Sequence, residues 1–231
     1  MDARTIELLK QVSTATVSTQ LLSRGLRNTF LHGIRPVTAH RMAGPAFTLR
    51  YIPAREDIDV LAVYQDYDHP QRKAVETVPP DHVLVMDCRG QGRAASAGAI
   101  LATRLQARGV AGLVTDGTLR DTPEIAKLDL PVYAQGASPL TNLAQHHAVD
   151  LNVPIGCAEV AVYPGDIMVG DAEGVVCVPQ HLAQEVAEAA FEQDQLEAFI
   201  QTEIAGGKPL RGTYPPDEAT LARYHQHRRS Q

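Results

Sequence analysis

The sequence predicts a mixed α/β fold, and three observations lead to it. Through the middle of the chain short apolar runs alternate with helical patterns, an order that implies parallel strands joined by crossovers. From Val153 to Val178 the pattern changes to β-structure broken by turns at Pro164-Gly165 and Asp171 to Gly174, the mark of antiparallel hairpins. From His181 to Ile204 the spacing is strongly helical and stops at Gly206-Gly207. At 231 residues the chain is large enough for one well-buried domain, so 1–231 is read as a single unit with a helical arm over about 181–231.

Each element has its own signal. Residues 4–25 carry apolar side chains at helical spacing, Leu8, Leu9, Val12, Val17, Leu21 and Leu22, with Gly25 as the stop. Ser13-Thr14-Ala15-Thr16 interrupts the pattern, so two short helices are expected. Strands follow Pro36 and span Ala43 to Tyr51. Asp57 to Tyr64 reads as a helix with acids at its start, and the polar, proline-containing Asp66 to Pro80 reads as a surface loop. Val83 to Asp87 is a short apolar strand running into the glycine-bearing loop 89–98, which feeds a helix from Ala99 to Arg108 closed by Gly109. Val110 to Val114 is a buried strand ended by Asp116-Gly117, and Thr122-Pro123-Glu124 has the capping residue and proline that start a helix. Another strand follows Pro131, then a turn at Gly136 to Pro139. The end of the arm, from Lys208, contains one short helical pattern and is read as a segment able to wrap a neighbouring subunit.

Composition narrows the function classes. A net charge of −6 offers no electrostatic footprint for nucleic acid. No stretch approaches the ~20 apolar residues of a membrane span, and the first residues lack the apolar core of a signal peptide. The cysteines, Cys88, Cys157 and Cys177, are odd in number and widely spaced, which suggests neither a disulfide framework nor a CxxC metal site and fits a reducing cytoplasm. The adjacent His146 and His147 point to opposite faces of any regular element, which argues against joint metal ligation.

The chemistry-bearing stretch is Val110 to Ile125. Arg120 and Asp121 stand side by side just past a sheet edge, with Glu124 within a turn. Arg120 can take a ligand carboxylate in bidentate form, and free backbone N–H groups around Gly98, Ala99, Ile100 and Leu101 can bond the same group. Asp121, with Glu124, can hold a hard divalent cation through oxygen while waters fill the other positions, as Mg²⁺ prefers. No lysine sits in these motifs, consistent with chemistry that needs no Schiff base.

Over residues 10–215, on the Gly-Val-Ala-Gly, Asp-Gly and Arg-Asp run of 109–121, the loop 89–98 and the Pro164-Gly165-Asp166 segment, the chain resembles the regulator of ribonuclease activity A family. That family includes the 4-hydroxy-4-methyl-2-oxoglutarate aldolases, and the stretches Arg-Asn-Thr-Phe and Pro-Ala-Arg-Glu-Asp are similar to its longer, sugar-acid-associated branch. The resemblance implies a β/β/α swivelling-type fold assembled as a homotrimer or dimer of trimers. It also implies a class II pyruvate aldolase mechanism with Mg²⁺ or Mn²⁺, acting on a 2-oxo acid. Such aldolases carry an acid, twenty intervening residues, Arg-Asp, two residues, then an acid. Arg120, Asp121 and Glu124 match this pattern, whereas Ala99 stands where the first acid belongs. Glu197 matches the family's glutamate contributed by a neighbouring chain.

Three explanations of Ala99 stay open. Glu197 from another subunit suffices as the acid; the reaction needs no hydroxyl deprotonation, as in decarboxylation of oxaloacetate; or the residue was changed deliberately or the activity lost. Beyond a lyase giving pyruvate, the resemblance allows two further functions. One is a non-catalytic regulator that binds a ribonuclease, and the other a dehydratase or isomerase of a 2-keto-3-deoxy sugar acid.

Overall fold

A computed structural model describes residues 2–229; the predicted domain's outermost residues, 1, 230 and 231, lie outside the described residues. Helices α1 (Ala3–Gln11) and α2 (Thr14–Ser23) separate as expected. Ser13 is extended and its hydroxyl accepts from Thr16 N at 3.0 Å, a cap that starts a new helix. Strands β1 (Arg35–Pro36) and β2 (Met42–Pro53) follow.

The next segment departs from the sequence expectation twice. The helix expected over Asp57 to Tyr64 is replaced by turns and a 3-10 helix at Leu61–Gln65. The Asp59 carboxylate accepts from Arg55 N at 2.8 Å, and Ile58, Val60 and Leu61 remain exposed, so no apolar stripe exists to hold a helix down. The expected loop 66–80 contains helix α3 (Pro70–Thr77). Pro70 occupies its first turn, where the missing N–H costs nothing, and Gln71, Ala74 and Val75 face inward.

The crossover region supplies β3 (Val83–Asp87), β4 (Ala95–Ala97), α4 (Ala99–Ala107), β5 (Gly112–Thr115), β6 (Thr118–Leu119) and the one-turn α5 (Thr122–Ile125). After β7 (Val132–Ala134) come β8 (Gly136–Ala137), where a turn was expected, and β9 (His146–Leu151). The hairpins are β10 (Ile155–Cys157) with β11 (Val160–Val162) and β12 (Ile167–Asp171) with β13 (Gly174–Val178). Helices α6 (Ala183–Ala205), α7 (Leu210–Thr213) and α8 (Glu218–Arg229) complete the order.

Among the described residues the main sheet has the strand order β1-β7-β5-β3-β2-β12-β13, with β9 also paired to β2. Strands β2, β3, β5 and β7 run parallel, with α3, α4 and α5 in the crossovers, and the hairpin strands add antiparallel pairs. The parallel strands are buried on both faces, hence their unbroken apolar runs. Leu84, Met86 and Leu113 pack with Leu105 of α4, while Val83, Val85 and Val114 pack on the other side with Met42 and Tyr133. A third core joins β12 and β13 to α1, α2 and α6. There Asp194 of α6 accepts from Ser13 N at 2.9 Å and from the Thr16 hydroxyl at 2.5 Å, tying the start of α2 to the long helix. Helix α8 folds back on α6 through Arg223 to Glu203 and Phe199 against Tyr224.

A small parallel sheet, β4-β6-β8, sits beside the main one. No helix among the described residues is long and apolar enough to cross a membrane.

Candidate functional site

Arg120 and Asp121 follow β6 directly, and Arg120 N donates to Ala97 O at 3.0 Å, extending the pairing of β4 with β6 by one bond. This brings Gly98, the N-cap of α4, against both side chains. A β-carbon at position 98 would lie 2.8 Å from Arg120 Cγ and 2.8 Å from Asp121 Oδ2, so only glycine permits the approach.

Asp121 has φ 57° and ψ 34°, the left-handed region, which costs a non-glycine residue about 1–3 kcal/mol and an aspartate least among them. Thr122, read as the cap of this helix, is its first residue instead, and Asp121 takes the cap position with its backbone carbonyl receiving Glu124 N and Ile125 N at 3.0 and 3.1 Å. Its side chain caps nothing. The carboxylate turns the other way, with Oδ2 3.4 Å from Arg120 Nε and 3.4 Å from Ala99 N at the head of α4.

The two side chains open onto a cleft of about 280 Å³, adequate for a small acid. Of the backbone positions predicted to receive a carboxylate, Gly98, Ile100 and Leu101 line it. Ala99 does not; its methyl packs against the core beneath α4 while its N–H faces Asp121. Sequence reasoning missed part of the lining, formed by Tyr64, Gln71, Arg72, Thr141 and Asn142. Gln71 and Arg72 lie on α3, in the stretch read as loop, and Pro70 with the inward spacing of Ala74, Val75 and Val78 was the signal that could have found them. Asn142 sits at the start of a 3-10 turn with no local signal.

Gln71 Nε2 donates to Ser96 O at 2.5 Å, anchoring α3 to β4. The Tyr64 hydroxyl donates to Asn142 Oδ1 at 2.8 Å, and the Arg72 guanidinium lies 5.7 Å from the Tyr64 ring centre. Burial raises the Tyr64 phenol above its ordinary pKa, and its hydroxyl is the donor in that bond. Two guanidiniums and one carboxylate face the cleft, which makes it electropositive and suited to anions.

The other predicted site residues lie elsewhere in the chain. Glu124 is ion-paired with Lys127 at 2.8 Å and exposed, outside the cleft lining. Glu197 is on α6, which packs on α1 and α2; its carboxylate accepts from Gln193 at 2.8 Å and does not line the cleft of its own chain. His146 and His147 face opposite ways, the first bonded to Ala94 O at 3.0 Å and the second to Asp59 at 2.8 Å. Asp116 is buried and accepts from Cys88, Gly90 and Ala158 N–H groups, a loop-organising role; burial raises its pKa. All three thiols are buried and their pKa values are raised by burial, which makes them poor nucleophiles.

Donor chemistry decides which cation suits the cleft. Among the described residues no group of three or more His, Cys, Asp or Glu could hold a metal ion. Asp121 presents a carboxylate whose Oδ1 has no hydrogen bond among the described residues. One hard carboxylate beside a small-acid cleft fits Mg²⁺ or Mn²⁺, which keep several waters and complete their shell with the ligand. Glu124 reaches such an ion only by leaving Lys127.

Known proteins share this arrangement's scaffold. The model of the RraA-like family, described as Aldolase/RraA, matches residues 14–177. A protein named putative 4-hydroxy-4-methyl-2-oxoglutarate aldolase from Halalkalibacterium halodurans is 31% identical over 162 residues, 68% of this chain and 69% of its own length. A solved structure of an uncharacterized protein from Pseudomonas syringae pv. tomato superimposes with a TM-score of 0.80 at 26% identity, covering 93% of this chain and 98% of that one. Streptomyces coelicolor RraAS2, described as an unusual member of the RNase ES inhibitor RraA protein family, gives 0.76 at 31% identity, covering 87% and 97%.

Proposed function

Since the chain belongs to the Aldolase/RraA family, we propose that it is a divalent-metal-dependent lyase that cleaves a 2-oxo acid to pyruvate. The observation that carries this reading is the placement of Arg120 and Asp121 against the start of α4, at one end of an electropositive cleft. Arg120 binds the substrate carboxylate as a fork, releasing Asp121 from its weak 3.4 Å contact. The N–H groups at the head of α4 support the same carboxylate. Asp121 is the residue that would hold Mg²⁺ or Mn²⁺, and the ion would supply charge to polarise the ketone as the carbon–carbon bond breaks. Ile100 and Leu101 form an apolar lip that limits water around the reacting carbons.

Two reactions use this arrangement. In retro-aldol cleavage a base takes the proton of the substrate's 4-hydroxyl, that oxygen forms a carbonyl with C4 as the C3–C4 bond breaks, the C4 fragment leaves as an oxo product, the bond's electrons flow to the C2 ketone, and protonation of C3 gives pyruvate. In decarboxylation of oxaloacetate carbon dioxide leaves with the same electron flow and no hydroxyl proton is removed. The second makes the smaller demand on a cleft whose position 99 is alanine and whose Glu197 stands on a distant helix, unless another copy of the chain brings its own Glu197. A homotrimer or dimer of trimers supplies such a copy.

The purified protein with Mg²⁺ should release pyruvate from oxaloacetate or from a 4-hydroxy-2-oxo acid. Release equal to that of Arg120→Ala contradicts the reading. The second reading, a regulator that binds a ribonuclease, draws on the likeness to Streptomyces RraAS2, whose family is named for inhibition of RNase ES. Capture of a ribonuclease at physiological salt, with no metal binding by calorimetry, is the result that would favour it.

A further inference from the structure

We propose that Tyr64 is the acid that delivers a proton to C3 of the enolate left when the substrate's carbon–carbon bond breaks, which makes it a catalytic residue of the cleft. This deepens the 2-oxo acid reading and rests on it. Both reactions that suit the cleft end in the same step. The electron pair shared between C2 and C3 takes up a proton, a C3–H bond forms, and the C2 ketone is restored as pyruvate. Some group must give that proton.

The chemistry of the lining narrows the choice. Arg72 and Arg120 stay charged at any working pH, and Asp121 is an acceptor-only carboxylate beside Arg120. The Ser96 hydroxyl is buried on Thr115 and Thr118, the Thr141 hydroxyl donates to Asn142, and aliphatic alcohols are far weaker acids than a phenol. The side-chain amides of Gln71 and Asn142 do not ionise. Glu124 and Glu197 of the same chain lie outside the lining. Among the described residues of the cleft, the Tyr64 phenol is the side chain that both carries a transferable proton and can bear its loss.

Its surroundings suit that task. The hydroxyl donates to Asn142 Oδ1 at 2.8 Å, so rotation about the phenol C–O bond redirects the proton without moving the ring. Burial raises the phenol's pKa, and the Leu143 backbone N–H with the Arg120 and Arg72 guanidiniums pull it back. Those same groups steady the phenolate until water returns its proton. Arg120 is near enough for its charge to reach the phenol, and the carboxylate it grips is separated from C3 by the ketone carbon alone.

Tyr64→Phe keeps the ring and its contact with Arg72 but removes the proton. With Mg²⁺ and saturating pyruvate in deuterium oxide, the parent should exchange the methyl protons of pyruvate, read by proton NMR. Tyr64→Phe should slow that exchange by ~10²-fold or more, the scale of general acid–base catalysis, while pyruvate affinity by calorimetry stays the same. Oxalate is an unreactive mimic with a carboxylate oxygen where the enolate has C3. Its affinity should fall about tenfold or more in Tyr64→Phe, because it offers the lost proton a charged acceptor and the pyruvate methyl does not. Exchange equal to the parent's overturns the proposal, as does a deficit that more pyruvate abolishes or an unchanged oxalate affinity. A parent that binds pyruvate and exchanges its protons, matched by Tyr64→Phe, refutes Tyr64 alone, whereas a parent that does neither refutes the lyase reading beneath it.

Discussion

The Asp121 carboxylate lies 3.4 Å from Nε of its chain neighbour Arg120, and a left-handed backbone at Asp121 points it into the cleft instead of onto α5. Charge and backbone geometry can therefore be separated by mutation. Asp121→Asn, which tolerates the same conformation, should lower pyruvate release by about 10²–10³-fold, the scale of losing one electrostatic stabiliser, with little change in melting temperature. Asp121→Ala should lose as much activity and a further ~1–2 kcal/mol of stability from the strained backbone, read from denaturant midpoints.

Gly98 is the contact that allows both side chains to approach α4. Gly98→Ala should push the Arg120 stem and the Asp121 carboxylate aside, because the new methyl meets them at 2.8 Å. A displacement of this kind is expected to reduce kcat/KM by about 10-fold or more, up to ~10²-fold, while the fold persists. A variant with full activity means the cleft does not depend on this close packing.

Ala99 tests the missing acid. Ala99→Asp places a carboxylate on the first residue of α4, one position from Gly98, where a helix start tolerates negative charge. Because the Ala99 methyl packs against the core and not into the cleft, retro-aldol cleavage and decarboxylation should both change little; a rise in cleavage of ~10²-fold, the usual contribution of a general base, would show that a side chain at position 99 reaches the substrate. Steady-state rates on the two substrates decide it; no gain in cleavage assigns the base to another residue.

Stability should fall on mild acidification. His69 and His146 are buried and each keeps one ring nitrogen unpartnered, and burial lowers both pKa values from 6.5. Below pH 6.5 the unfolded chain gains protons that the folded chain refuses, so the stability present above that pH is lost as pH drops toward the folded pKa values. The slope is at most about 1.4 kcal/mol per pH unit for each histidine. Melting curves between pH 7.5 and 5.5 should show this, and His146→Gln should flatten the profile.

Much of the scaffold was legible because its signals are local. The apolar runs of β3 and β5 reflect burial on both faces, and Ser13 marked the break between α1 and α2. Arg120 and Asp121 were legible for the same reason, as neighbours at a strand end. The rest of the cleft lining was not, because Tyr64, Arg72 and Asn142 come from three separate segments that meet only when α3 packs beside β4. The polar, proline-containing sequence around α3 concealed its inward face. Asp121's conformation was equally hidden, since an aspartate tolerates the left-handed region without requiring it.

The central claim is that Arg120 grips a substrate carboxylate while Asp121 serves a bound cation. The most direct measurement is a crystal structure of the protein soaked with pyruvate and Mg²⁺. The account predicts the pyruvate carboxylate on the Arg120 guanidinium and the N–H groups at the head of α4, with the ion on Asp121. Density for both ligands absent from the cleft, with Arg120 still turned toward Asp121, would contradict it.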